Sequence, residues 1–243
     1  MNSPRISKPP TIPANPTERE KYQEEVAAAV FSQLTTGTLD SQALLGAVGT
    51  IVAENRLQVW SPVEAEQQVL LELPTSGSVA AAPGPYAYPV VINGSGSKLE
   101  AYLTREFTYE VGRCDIADRV LSRLRLTLES AIPPGADLPD YVVGQSAVGP
   151  DGPVSSIQLQ IHLSPEAVVD FISVDGEPLE WFSFREQGRR AVLVVIELQP
   201  RQPSTVVVDF SEPASDLAAQ MPDQPLAQPA ETSFVDAPCD IGG

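Results

Sequence analysis

The chain has little of the material from which reactive sites are built. Its 243 residues include one histidine, His162, and two cysteines, Cys114 and Cys239. A hydrolase triad needs a histidine beside a nucleophile and a carboxylate. His162 falls on the polar side of an alternating segment, where the expectation is a solvent-exposed strand residue. No Gly-x-Ser-x-Gly elbow accompanies it. Two cysteines are too few for a disulfide framework or a structural zinc site. In an exported protein Cys114 and Cys239 can pair, tying the tail back to the strand region; otherwise they are two unrelated thiols. Positive charge is scarce as well, with 15 Lys plus Arg against 32 Asp plus Glu and a net charge of −17. Affinity for nucleic acid comes from neutralised phosphates and adsorption to anionic lipid from basic clusters, so neither partner is expected. No apolar run is long enough to span a membrane. Residues 1–17 lack the apolar stretch of a secretory signal.

What the chain does have is 42% hydrophobic residues, enough for a real core, and 24 prolines. The prolines gather near the N-terminus, in mid-chain turns and from Pro213 onward, as in linkers and inter-strand turns. The strongest signal is a change of period near residue 86. Before it, apolar residues recur at helical spacing; after it, they alternate.

Asn15, Pro16 and Glu18 form a helix start with cap, first-turn proline and capping-box acid. Tyr22, Val26, Val30 and Leu34 then make one stripe, and Gly37 is a natural stop. Asp40 caps a second helix whose buried face is Leu44, Leu45, Val48, Ile51 and Val52. Leu57 and Val59 alternate with Gln58 and Trp60 as a short strand. Ser61-Pro-Val-Glu64 reads as a second capping box opening a third helix through Leu71. Residues 75–85 are a hinge rich in Gly, Ala, Ser and Pro.

Strands are expected at Val90–Ile92, through Leu99–Val111, and where Val120, Leu124, Leu126 and Leu128 oppose Arg123, Arg125, Thr127 and Glu129. Ile157, Leu159, Ile161 and Leu163 repeat the pattern. Asp175-Gly176 is a hairpin turn between two strands. Val192–Leu198 and Val206–Phe210 complete the series. Short strands separated by turn signals predict an antiparallel sandwich, immunoglobulin-like in the architectural sense. The fold class is thus α+β, divided as a disordered 1–14, a helical segment 15–85, a β-sandwich 86–212 and a disordered acidic, Pro-rich tail 213–243.

Candidate sites are few. Asn93-Gly-Ser-Gly-Ser-Lys98 lacks the Gly-Lys-Ser/Thr ending of a phosphate loop and leads into a strand, so it reads as a connection. Asn93-Gly94-Ser95 matches a glycosylation acceptor. Asp137, Asp140, Asp151, Asp236 and Asp240 are scattered loop carboxylates with no metal-site or glycosidase spacing. Arg105, Arg113, Arg119, Arg123 and Arg125 form a local basic patch. Its ordinary reading is cross-strand pairing with acids such as Glu106, Glu110 and Glu129. Its sharper reading is an anion or acidic-glycan contact at Arg123 and Arg125, which share a strand face. Trp60 and Trp181 read as core or lobe-interface packing rather than as sugar platforms. No catalytic residues, metal ligands or cofactor are expected.

Several stretches taken together resemble a known family. They are Glu54-Asn-Arg-Leu-Gln-Val-Trp-Ser61 followed by Glu66-Gln67, Asn93-Gly-Ser-Gly-Ser-Lys-Leu-Glu-Ala-Tyr-Leu103, and Leu138-Pro-Asp-Tyr-Val-Val-Gly144. With Asn15-Pro-Thr-Glu-Arg-Glu20 and the Val174–Pro178 hairpin, they are similar to the C-terminal half of the actinobacterial envelope family called domain of unknown function 4012. The resemblance implies an association with envelope polysaccharide and no catalytic residues to carry over. Members typically add a transmembrane segment and a central domain loosely reminiscent of glycopolymer ligases. This chain lacks both, so the expectation is a C-terminal fragment, a late start or a truncated gene. The expected function is a non-enzymatic, extracytoplasmic envelope module, a spacer or binding domain whose partner is an envelope glycan or another envelope protein. The alternative is an accessory part of a glycopolymer transferase or hydrolase whose catalytic domain lies upstream. A truncated form would stay in the cytoplasm.

Overall fold

The computed structural model describes residues 15–36, 40–77, 84–112 and 118–237. The chain divides into two compact units, Met1–Leu57 and Gln58–Gly243. Among the described residues the secondary structure is mixed α and β, mainly β, in three sheets.

The first unit holds helix α1 (Pro16–Thr36) and helix α2 (Ser41–Ala53). Both start where the caps predict. The Asn15 carboxamide oxygen accepts from Thr17 N–H at 3.0 Å, and Asp40 Oδ1 accepts from Gln42 N–H at 3.0 Å. The expected stripes are largely exposed: Val26 and Val30 of α1 and Leu45, Val48 and Ile51 of α2 stand exposed, while Tyr22, Leu44 and Val52 are half-buried. Helical spacing gathers such residues on one side, but only a neighbouring surface buries them, and the described stripe residues are covered only in part.

The second unit opens with two departures from the sequence reading. Residues 57–60 are irregular rather than a strand. Among the described residues they have no ladder partner beyond one bond, Val59 N–H to Thr75 O at 2.8 Å, and alternation without a partner does not make a strand. Helix α3 (Glu64–Leu71) begins two residues later than its capping box implies. Ser61 Oγ accepts from Val63 N–H at 3.1 Å and donates to Glu66 Oε2 at 2.6 Å, while Gln67 Oε1 accepts from Ser61 N–H at 2.9 Å. The cap is reciprocal, but the returning side chains are Glu66 and Gln67 rather than Glu64.

The change of period coincides with the start of β1 (Ala87–Asn93). A short 3₁₀ turn at Leu99–Tyr102, read in sequence as strand, buries Leu99 before β2 (Leu103–Gly112) begins. Then come β3 (Arg119–Ser130), the one-turn helix α4 (Asp140–Val143), the small pair β4 (Val148–Gly149) and β5 (Gly152–Pro153), and β6 (Ser155–Leu163). The series ends with β7 (Val168–Val174), β8 (Glu177–Pro178), β9 (Phe182–Glu186), β10 (Arg189–Leu198), β11 (Ser204–Pro213) and β12 (Glu231–Ala237). One sheet has the order β1-β6-β10-β9, the other β12-β2-β3-β11-β7-β8. Their ladders are antiparallel except that between β12 and β2.

Alternate residues of both sheets meet in one apolar cluster. Leu124, Leu126 and Leu128 of β3 and Val206, Val208 and Phe210 of β11 join Leu159, Ile161 and Leu163 of β6 and Val192, Val194 and Ile196 of β10. Each fully buried side chain of this kind contributes about 1.5–3 kcal/mol, so the alternation itself fixes which face turns inward. Asp175 and Gly176 both have positive φ, +52° and +88°, as a primed hairpin turn requires.

The tail departs most from expectation. Residues 213–237 are ordered, and residues 238–243 lie outside the described part. Met221 is buried against the core. Ala87 N–H donates to Gln220 O at 3.0 Å, and the Gln224 carboxamide pairs with both backbone groups of Val91 at 2.7 and 3.1 Å. The segment thereby covers the open edge of β1 before adding β12 to β2. Proline and acidic residues argue for a solvated tail, but two exposed sheet edges offer unpaired backbone groups that a passing chain can satisfy.

Candidate functional site

Four loop segments converge at one end of the two-sheet body. They are Gly84, just before β1; Ser164–Glu166, after β6; Gln187–Arg189, the turn into β10; and Pro213–Ser215, after β11. They enclose a cavity of about 420 Å³, within the range of small-molecule sites. The β9–β10 turn can be this tight because Gln187 and Gly188 both take positive φ. The walls are braced by guanidinium groups. Arg185 Nη1 donates to the carbonyls of Pro165 and Gly188, at 3.2 and 3.3 Å. Arg119 Nη2 donates to Glu166 O at 3.0 Å and Ser211 O at 2.7 Å.

Beneath the cavity lies a buried carboxylate. Glu212 extends the inward row Val206, Val208, Phe210 of β11 and is 0% exposed. Its Oε1 accepts from Tyr109 Oη and Ser122 Oγ, both at 2.6 Å, and its Oε2 accepts from Ser164 Oγ at 2.6 Å. Ser164 Oγ in turn accepts from Tyr86 N–H at 3.1 Å. One carboxylate thus ties β2, β3 and β11 of the larger sheet to the ends of β6 and β1 in the smaller. Burial, reinforced by the adjacent Glu212 carboxylate, pushes the Tyr109 phenol far above its ordinary value, so it stays a donor. Arg189, buried on the cavity wall, lies over the Tyr86 ring with its Cζ 3.9 Å from the centroid. Burial raises Tyr86 to about 12 against the opposing pull of Arg189. Burial also lowers Arg189, which the Tyr86 oxygen partly offsets. A shielded carboxylate engaged by hydroxyls orders a site; it does not present a base to a substrate.

Of the described residues singled out from sequence, Arg119 of the basic patch braces the cavity wall, whereas Arg123 and Arg125 lie elsewhere. Arg123 lies on the outer face of β3 and forms a bidentate pair with Asp209 of β11, and Arg125 reaches Glu110 of β2 at 3.7 Å. Cys114 and Cys239 lie outside the described residues. Arg105 leaves the basic patch altogether. Its side chain is buried in the inward register of β2, paired with Asp223 at 3.0 Å and donating to the carbonyls of Gln224 and Gln228 at 3.1 and 2.7 Å. Trp60 is 73% exposed rather than packed, whereas Trp181 packs against the core cluster. Asn93 folds its own loop, donating to Glu100 Oε2 and accepting from Ser95 N–H, each at 2.9 Å. Asp151 pairs with Arg201 at 3.4 Å. Among the described residues no three His, Cys, Asp or Glu side chains are grouped to hold a metal ion, and no helix is long and apolar enough to cross a membrane.

His162 is not solvent-exposed. It is 3% accessible, stacked on Tyr88 with ring centroids 6.1 Å apart, and its Nε2 is 2.9 Å from Gln160 Nε2 and 3.7 Å from Glu186. It does lie on the outer face, but β6 is a central strand, and the large neighbours on β1 and β9 close over it. Burial lowers its pKa despite Glu186. Glu212 and Ser122 escaped the sequence reading, although a signal existed: each is a polar residue on the inward register of an otherwise apolar row.

No family profile and no curated protein matches the chain. Among solved structures, a candidate nutrient binding protein from Legionella pneumophila aligns at TM-score 0.34 and 8% identity, covering 55% of this chain and 44% of that one. Yeast LTA4 hydrolase aligns at TM-score 0.30 and 11% identity, covering 65% and 19%. An M1 zinc metallopeptidase from Deinococcus radiodurans aligns at TM-score 0.26 and 10% identity, covering 46% and 21%. The chain therefore spans less than half the length of each of these structures.

Proposed function

We propose that this chain is a non-enzymatic, extracytoplasmic module of the cell envelope that serves as a spacer and binding domain, with the cavity beside Ser164 as its ligand contact. Its partner is an envelope glycan. The single observation that supports this most is the state of Glu212. The carboxylate that braces the cavity from beneath, through Ser164, is fully shielded and held by three hydroxyls, an arrangement suited to shaping a pocket rather than to proton transfer, while Glu166 on the rim is exposed. The two sheets over one core read as a β-sandwich, immunoglobulin-like in architecture but with its own strand order. The affinity to domain of unknown function 4012 belongs to the same reading and rests on the sequence stretches named above.

The test is a titration of the full chain with envelope glycan fragments, read by heat of binding and by product analysis. Saturable binding without turnover, lost when the cavity is filled by Ala214→Trp, is expected. Turnover of a glycan or lipid-linked substrate by the purified chain overturns the proposal.

A further inference from the structure

The C-terminal segment is attached in two unlike ways. Its first part is clamped. The Arg105 guanidinium, with no side-chain exposure, holds Asp223, Gln224 O and Gln228 O, and Asp223 Oδ2 accepts from Ala230 N–H at 3.1 Å. Its second part, β12, is held by its backbone ladder and by the Ser233 hydroxyl, which lies 2.9 Å from Thr108 Oγ1. All side chains from Glu231 to Asp236 are exposed, and Phe234, whose ring centroid is 6.3 Å from that of Tyr109, remains half exposed. The ladder is parallel, from Glu231 opposite Glu106 to Ala237 opposite Gly112, and parallel pairing is the weaker kind per residue.

The first rung is also electrostatically wrong. Glu231 lies directly opposite Glu106. Glu106 pairs with Thr127 and Thr104 with Glu129 in the next ladder, so all three carboxylates lie on one face. Together they line a cavity of about 240 Å³ with Thr104, Arg105, Thr127, Gln228 and Pro229, and the Arg105 guanidinium is itself engaged by Asp223. Like charges opposite each other destabilise a ladder. The chain's own strand therefore fits the β2 edge in backbone and at Phe234, but not in charge at its first residue.

We propose that the outer edge of β2 is a docking site for an extended segment of a partner protein. That segment adds as a parallel strand in place of β12. It carries lysine or arginine opposite Glu106, where Glu231 now sits, and an apolar residue over Tyr109. Strand addition supplies affinity through the main chain and specificity through alternate side chains. The clamp at Arg105 stays closed, so only residues after Ala230 lift. The docking site is separate from the cavity at Ser164 and does not depend on the glycan reading.

The probes are two synthetic peptides, Lys-Thr-Ser-Phe-Val-Asp-Ala and the native Glu-Thr-Ser-Phe-Val-Asp-Ala, titrated into the full chain. The lysine peptide is expected to bind about tenfold more tightly, as one repulsive rung becomes attractive. A locked variant, Thr108→Cys with Ser233→Cys in a Cys114→Ser, Cys239→Ser background, joins two hydroxyls that are 2.9 Å apart, and it should bind neither peptide. In Glu231→Lys the β12 amides should exchange about tenfold more slowly than in the native chain. Equal affinity for both peptides, no binding of the lysine peptide at millimolar concentration, or undiminished binding to the locked chain would each overturn the proposal. So would failure of the locking disulfide to close, because β12 would then not lie on β2.

Discussion

Replacing Glu212 by leucine tests whether the buried carboxylate holds the two sheets together at the cavity end. The leucine fills nearly the same space but leaves the hydroxyls of Tyr109, Ser122 and Ser164, each now 2.6 Å from a carboxylate oxygen, without their acceptor. An orphaned buried hydroxyl costs about 1–3 kcal/mol. Partial relaxation of Ser164 toward the cavity makes the expected total about 3–5 kcal/mol. Glu212→Gln keeps one acceptor oxygen and the shape but loses the charge, and should cost about 1.5–3 kcal/mol. Equilibrium urea unfolding at pH 7, followed by the fluorescence of Trp181, which packs on the core, measures both. With a urea slope of about 2 kcal/mol/M, the leucine variant should lose about 2 M in midpoint. Adding Tyr109→Phe, Ser122→Ala and Ser164→Ala to Glu212→Leu removes the orphans and should recover most of the loss, because an apolar cluster of matched shape is nearly neutral. A single leucine variant within about 1 kcal/mol of the native chain, or a quadruple variant no better than the single, would refute the reasoning.

Three further outcomes are expected. The His162 ring resonance, the only one of its kind in the chain, should titrate below its ordinary value of 6.5 because burial disfavours the imidazolium. The unfolded chain then binds the extra proton first, so stability is present above about 6.5 and falls as pH drops through it; a midpoint at or above 6.5 contradicts this. Tyr86 and Tyr109 are both raised above 10, Tyr86 to about 12. Stability should therefore decline as pH rises beyond 10, by about 1.4 kcal/mol per pH unit for each tyrosine still protonated in the fold, and Tyr109→Phe should make the alkaline slope in urea midpoints shallower. Gly112→Ala should destabilise by more than about 2 kcal/mol. A Cβ there would fall on the Leu121 carbonyl, and a chevron or melt showing native-like stability would mean the strand end is looser than described.

Much of the fold could be read from the chain because periodicity is a local property. Alternation located β3, β6, β10 and β11, Asp175-Gly176 located a hairpin, and Asn15 and Asp40 located two helix starts. The reading failed where a residue's fate depends on a distant neighbour. His162 was placed on the correct face, but exposure on that face depends on Tyr88 and Glu186, neither of which alternation reveals. Arg105 looked like one more member of a basic patch, yet its register on β2 turns it inward, where Asp223 meets it from 118 positions away in the chain. The cavity has no local signature at all, since its walls come from four separate connections.

The sequence by itself determined the type of the strongly periodic elements, the inward faces of the central strands and the acidic character that disfavours nucleic acid, because each follows from the order or sum of side chains. Only the tertiary structure decided that Glu212 sits among hydroxyls rather than in solvent and that the tail closes the edges of β1 and β2. It also decided that Arg123 and Arg125 face carboxylates on neighbouring strands. Those outcomes depend on which edges and registers meet, and pairing between distant segments is set by the packed whole rather than by any window of the chain.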